Sequence, residues 1–164
     1  MKVLRFAVKV AVAVLLLAAL PALAYDGVNI PEVKKQAEAG NAEAQSKLGV
    51  LYASGVGMAQ DKDEAVRWYI KSAEQGYALG QYNLAMMYLR GEGGLKEDPV
   101  KGRELLQKAA DQWLASAQYD LAIACLYGVG GAQSRDEAEK WLRRASSQGY
   151  REAKKKLDEL AAAK

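Results

Sequence analysis

The chain has 164 residues, 51% of them hydrophobic and 26% charged, a size and balance that fit a single globular domain and exclude a largely disordered chain. Its formal charge of +3 is carried by Lys2, Arg5 and Lys9, so the remainder is formally neutral and has no basic excess to neutralise nucleic-acid phosphates. Histidine is absent, which excludes a histidine-based triad, a histidine zinc ligand and a histidine general base.

In chain order, those three cations precede the apolar run Val10 to Leu20, then Pro21 and Ala22-Leu23-Ala24. This is the n-region, h-region and small-x-small cleavage site of a signal peptide over residues 1–24. The apolar stretch is shorter than the ~20 residues of a spanning helix, so no stable membrane insertion is expected after cleavage. The single cysteine, Cys125, is far from the cleavage point, and no lipid anchor is expected. The expected location is the periplasm, with release to the medium as the alternative. Residues 25–30 form a short lead into the domain.

A domain over residues 31–160 then shows an internal period of about 36 residues, the sign of stacked supersecondary units. Leu48-Gly49, Tyr52 and the pair Gly55/Gly57 recur as Leu84-Ala85, Tyr88 and Gly91/Gly93, and again as Leu121-Ala122, Cys125 and Gly128/Gly130. The second halves repeat as well: Asp61, Glu64, Ala65 and Trp68 are echoed by Ser134, Glu137, Ala138 and Trp141. The middle copy has one extra residue among Glu92 to Asp98 and places Gly102 and Leu105 at the alanine and tryptophan positions. The units are about 40–75, 76–112 and 113–148.

Each unit reads as two helices. In the first, Ala44, Leu48, Leu51 and Tyr52 share one face by three-and-four spacing, and Gly55 and Gly57 stop it. In the second, Asp61 with Glu64 and Ser134 with Glu137 have the spacing of capping boxes, and Asp98-Pro99 sets a cap before a first-turn proline. Ala65, Trp68, Ser72 and Ala73 form its buried stripe. Pro31 to Ala39 reads as a lone second helix and residues 149–162 as a terminal cap helix, so both ends resemble half-repeat caps. The fold class is all-α, a short right-handed α/α solenoid of about three helix-turn-helix repeats. Small residues at Gly49, Ala85, Ala122, Ala65, Gly102 and Ala138 face large ones at Tyr52, Tyr88, Trp68 and Trp141, a pattern that interdigitates packed helices.

With these alanine-rich helix pairs and Gly-x-Gly loops, the chain resembles the Sel-one-like repeat family, a tetratricopeptide-like group, over roughly residues 31–160. The resemblance implies a non-enzymatic adaptor that binds a protein or peptide partner and needs no small-molecule cofactor. In bacteria it implies export and a role in signalling, envelope assembly or host contact. It leaves two alternatives, a secreted factor that engages a host receptor and a β-lactam-binding or β-lactam-hydrolysing enzyme of the family's cysteine-rich subgroup. That subgroup has a disulfide in each repeat, and one cysteine cannot supply it.

Other features carry structural readings. The Gly-x-Gly pairs follow helices rather than strands and recur with the unit, so they read as turns and not phosphate loops. The carboxylate pairs sit at helix N-termini, where capping accounts for them. Cys125 falls at a helical core position and reads as a small buried hydrophobe. Lys154 to Lys156 is interrupted by acidic neighbours and reads as a solvated face.

In the geometry the resemblance implies, the first helix of each unit lines the concave side. Positions free of packing duty there are Glu43, Ser46, Val50, Ala53 and Ser54, then Leu79, Tyr82, Met86, Leu89 and Arg90, then Ser116, Tyr119, Ile123, Leu126 and Tyr127. Units two and three put tyrosines and long apolar chains at these positions, which are expected to be at least partly exposed, and exposed apolar clusters of this composition mark binding sites. The candidate partner-binding groove is therefore Tyr82, Met86, Leu89, Arg90, Tyr119, Ile123 and Tyr127.

Overall fold

Eight helices follow one another along residues 28–162, the span that the computed structural model describes, and no strand occurs among them. They are α1 (Ile30–Glu38), α2 (Ala42–Ser54), α3 (Lys62–Glu74), α4 (Ala78–Arg90), α5 (Pro99–Asp111), α6 (Ala115–Tyr127), α7 (Arg135–Ser147) and α8 (Arg151–Ala162). The pairs α2/α3, α4/α5 and α6/α7 are the three units, with α1 ahead of them and α8 behind. The signal peptide expected over residues 1–24 lies outside the described residues. Among the described residues no helix is long and apolar enough to cross a membrane.

The helix starts act through the residues read as caps, with one change. Asp61, Asp98 and Ser134 accept hydrogen bonds from the amides of Glu64, Lys101 and Glu137 at 2.9, 3.0 and 3.2 Å. The glutamates do not complete the expected capping boxes. The amides of Asp61, Asp98 and Ser134 donate instead to the carbonyls of Tyr52, Tyr88 and Cys125, each at 2.9 Å, because the loop brings each cap back beside the last turn of the helix before it. Glu64 turns to Arg67 and Glu137 to Arg103. The longer loop of unit two, residues 91–98 against 55–61 and 128–134, keeps this link.

Each first helix ends on a left-handed glycine, Gly55, Gly91 or Gly128 (φ 72°, 62° and 67°), whose conformation L-residues with a Cβ adopt at a cost. The second glycine of each loop has a packing role that its spacing alone does not reveal. A Cβ on Gly57 would overlap Ile30, one on Gly93 the Lys62 carbonyl, and one on Gly130 the Pro99 carbonyl. Each loop thus seats against the first turn of the preceding second helix, and the Gly-x-Gly period is the period of this contact.

Small-against-large packing closes the core. Gly49 lies under the Tyr69 ring, 2.5 Å from where its Cβ would stand, and Gly102 lies under Leu89 at 2.7 Å. Leu48, Leu51 and Trp68 fill the first cluster with Ala37 of α1. Val66, Tyr69, Leu84 and Met87 fill the second. Leu106, Leu121, Trp141 and Leu142 fill the third, which Leu157 and Leu160 of α8 cover. The end helices therefore bury apolar faces that the outer units would otherwise expose, as terminal repeats of a stacked array must.

A buried polar rung repeats with the units. Gln75 donates to Gln45 at 2.6 Å, Gln112 to Gln81 at 2.8 Å and Gln148 to Gln118 at 2.7 Å, each tying the end of a second helix to the start of its first helix. Gln45 and Gln118 pass their own amide hydrogens to the Ala37 and Ala110 carbonyls, so these buried amides are partnered on both sides, as burial requires. The turns between units hold Gly40, Gly76 and Gly149 in left-handed conformations, but at the matching place in the third stands Trp113 (φ 65°). That conformation costs a side-chain-bearing residue about 1–2 kcal/mol, and the ring is 63% exposed, so burial of the indole does little to offset the strain.

Candidate functional site

The first helices lie side by side as an inner row. Asn83 of α4 reaches Ser46 of α2 at 3.4 Å, and the Tyr82 hydroxyl of α4 donates to Asp120 of α6 at 2.8 Å. At the far end Tyr119 of α6 meets Tyr150, just before α8, with ring centroids 5.2 Å apart. Side chains expected to be free on this face divide three ways. Tyr82 and Met86 are buried in the third cluster, which corrects the expectation of exposure. Leu89, Arg90, Tyr119 and Ile123 are part-buried, and Tyr127 is exposed. The reason lies in α4, which is apolar nearly all round and packs on α2, α3 and α5 while Tyr82 and Met86 reach over to α6, so it has little free face.

A cavity opens beside α4, but toward unit one rather than unit three. About 280 Å³ in volume, it is lined by Val50 and Ala53 of α2, Lys62 and Tyr69 of α3, Gln60 and Glu92 of the loops, and Tyr82, Asn83, Met86, Met87 and Arg90 of α4. Three of the expected groove residues, Tyr82, Met86 and Arg90, thus come together here. Tyr119, Ile123 and Tyr127 do not line it. Val50 and Ala53 complete the wall from unit one, whose free positions are small or aliphatic and for that reason looked uninformative in the sequence. Asn83, Met87 and the loop residues are not among the positions that the repeat leaves free of packing.

Charge is unevenly settled around the cavity. Lys62 pairs with Glu92 across its rim at 3.2 Å. Arg90 ends α4, where a helix C-terminus favours a cation, yet its Nη2 is buried and has no hydrogen-bond partner. Asp120, behind Tyr82, has its carboxyl pushed up to about 6 by burial, while the Tyr82 hydroxyl bond and the nearby Arg90 charge act in the opposite direction. Burial and then the Asp120 charge push the Tyr82 phenol upward, so it remains a neutral donor.

Cys125 is fully buried and free, and burial pushes its thiol up to about 11. Its sulfur lies 3.1 Å from an Arg103 nitrogen, and the same arginine donates to the Ala132 carbonyl at 3.1 Å. Here the thiol helps hold the third Gly-x-Gly loop on α5. A protonated buried thiol is a poor nucleophile. No group of three or more His, Cys, Asp or Glu side chains is placed to hold a metal among the described residues.

Comparison with known proteins agrees with this architecture. The Sel1 repeat family matches residues 42–77, 78–112 and 115–150. Chitin synthase regulatory factor 3 of Schizosaccharomyces pombe is 38% identical over 132 residues, which cover 78% of this chain but only 14% of that protein. The crystal structure of a Sel1 repeat protein from Oxalobacter formigenes superposes with a TM-score of 0.72 at 34% identity, over 80% of this chain and 98% of that one. That of c5321, a protective antigen of uropathogenic Escherichia coli with the same repeat fold, gives 0.70 at 36% identity, over 75% of this chain and 26% of that one. Three matched units, an inner row of first helices and an end helix on either side all agree: the chain belongs to the Sel1 repeat family.

Proposed function

We propose that the protein is an exported adaptor that holds a segment of a partner protein in the inner-face cavity between units one and two. Helical repeats of this family are typical protein–protein interaction scaffolds, and the regulatory role in the yeast relative's name agrees with action through binding. The observation that carries the reading is the cavity itself, whose walls of Val50, Ala53, Met86 and Met87 are apolar while Asn83 and Arg90 supply polar groups to orient an occupant. A few placed polar groups on an apolar wall is how binding sites are built. The leader pattern read over residues 1–24 supports export, with the periplasm as the proposed location.

One experiment addresses both parts. The full chain is expressed with its leader and a C-terminal tag, fractionated, and used to capture partners for mass spectrometry beside the Ala53→Glu variant. Ala53 is part-buried in the cavity wall at the edge of the second cluster, so a glutamate there obstructs the cavity. The expected result is a periplasmic protein beginning at Tyr25, with a partner that the wild type retains and Ala53→Glu, folded by circular dichroism, loses. Equal recovery by the two would overturn the cavity as the site, and retention in the cytoplasm with the leader attached would overturn export.

A further inference from the structure

Arg90 is a buried donor without an acceptor in the wall of a cavity. Its side chain is part-exposed and lines the space between α2 and α4, while Nη2 is shut off from both solvent and protein partners. Leaving a charged donor unpaired in this way is costly, far more so than making the bond adds to stability. Asp120 feels the Arg90 charge but accepts its hydrogen bond from Tyr82 at 2.8 Å and makes no ion pair with the guanidinium. The other cation at the rim, Lys62, is matched by Glu92. The cavity wall therefore holds one guanidinium that has no salt bridge, next to apolar side chains.

We infer that the adaptor's ligand is an acidic peptide segment: an aspartate or glutamate carboxylate enters the cavity and pairs with Arg90, while a neighbouring apolar side chain of the same segment packs on Val50, Ala53 and Met86. A planar carboxylate fits the guanidinium fork with two parallel bonds, which a carbonyl or hydroxyl cannot match. In this pairing the guanidinium turns so that Nη2 faces the cavity. This inference rests on the cavity being the binding site, and it adds the chemistry that the site selects.

The test pans a random peptide library displayed on phage against the full chain, counter-selected on Ala53→Glu, and measures the affinity of the selected peptides as free synthetic molecules. Selected sequences are expected to share an acidic residue beside an apolar one. Replacing that acid by its amide, or Arg90 by Gln, should each weaken binding about 10- to 100-fold, the range of one charge-assisted bond. The two changes together should weaken it little more than either alone, and Arg90→Lys, which keeps the charge but not the fork, should fall between. Peptides that bind through the cavity with no acidic residue, or additive effects of the two changes, would overturn the acidic preference while leaving the adaptor reading intact. A failure to select any peptide sensitive to Ala53→Glu would overturn both. The peptide-side change requires no protein variant, so the result does not hinge on how Arg90→Gln folds.

Discussion

Asp120 shows what the inner row asks of a single residue. It sits where α6 meets α4, part-buried, and accepts the Tyr82 hydroxyl. With its carboxyl raised to about 6 against an unfolded value near ~3.9, the fold favours the protonated form. The stabilising effect is complete below pH ~4 and is lost as the pH rises through about 6, on the order of 3 kcal/mol in all. Urea melts of the wild type should therefore show stability falling between pH 4 and 6.5, and Asp120→Asn should flatten that slope. A wild type that gains stability over this interval, with Asp120→Asn behaving alike, would contradict the assignment. Little of this was legible in the sequence, because an aspartate on an amphipathic helix reads as a solvated charge until a second helix is laid over it. Burial of Tyr82 and Met86 was hidden for a related reason. Helical spacing separates a polar face from an apolar one, but α4 has apolar residues on nearly every side, and only its neighbours decide which side chains remain free.

At the scale of elements, the loops are the part most fully written in the sequence. Caps at Asp61, Asp98 and Ser134 stand where the residue types placed them, and the extra residue of unit two is taken up between Gly91 and Asp98. The partner of each cap amide was not legible, since it depends on how closely a loop folds back on the helix before it. The second glycine is the sharper case. In Gly130 a positive φ of 66° coincides with contact against the Pro99 carbonyl, so Gly130→Ala incurs both backbone strain and a steric clash with the preceding unit. Strain of this kind costs about 1–2 kcal/mol and overpacking a further 1–3. Thermal melts should show a loss of about 2–5 kcal/mol for Gly130→Ala. For Gly40→Ala, where a Cβ would meet nothing within 4 Å, only the strain component applies. Equal losses at the two positions would show that inter-unit contact is not what fixes the Gly-x-Gly loop.

Over the whole molecule, the repeat count, the all-helical class and the covering of both ends were legible, because a repeat states its packing rules three times. The cavity was legible only in part. Tyr82, Met86 and Arg90 stand out as residues in which the units differ, whereas Val50 and Ala53 are ordinary in a helix and matter only because α4 leaves a gap beside them. That gap is the proposed binding site, set in the inner row of first helices, with the second helices α3, α5 and α7 as its support. Hydrogen–deuterium exchange of the chain, free and with the captured partner bound, tests this division most directly. The account predicts new protection over the C-terminal half of α2 and the C-terminal half of α4, near residues 46–54 and 82–92, with α3, α5 and α7 unchanged apart from the first turn of α3. Protection confined to the second helices, or to α6 and α8, would contradict it.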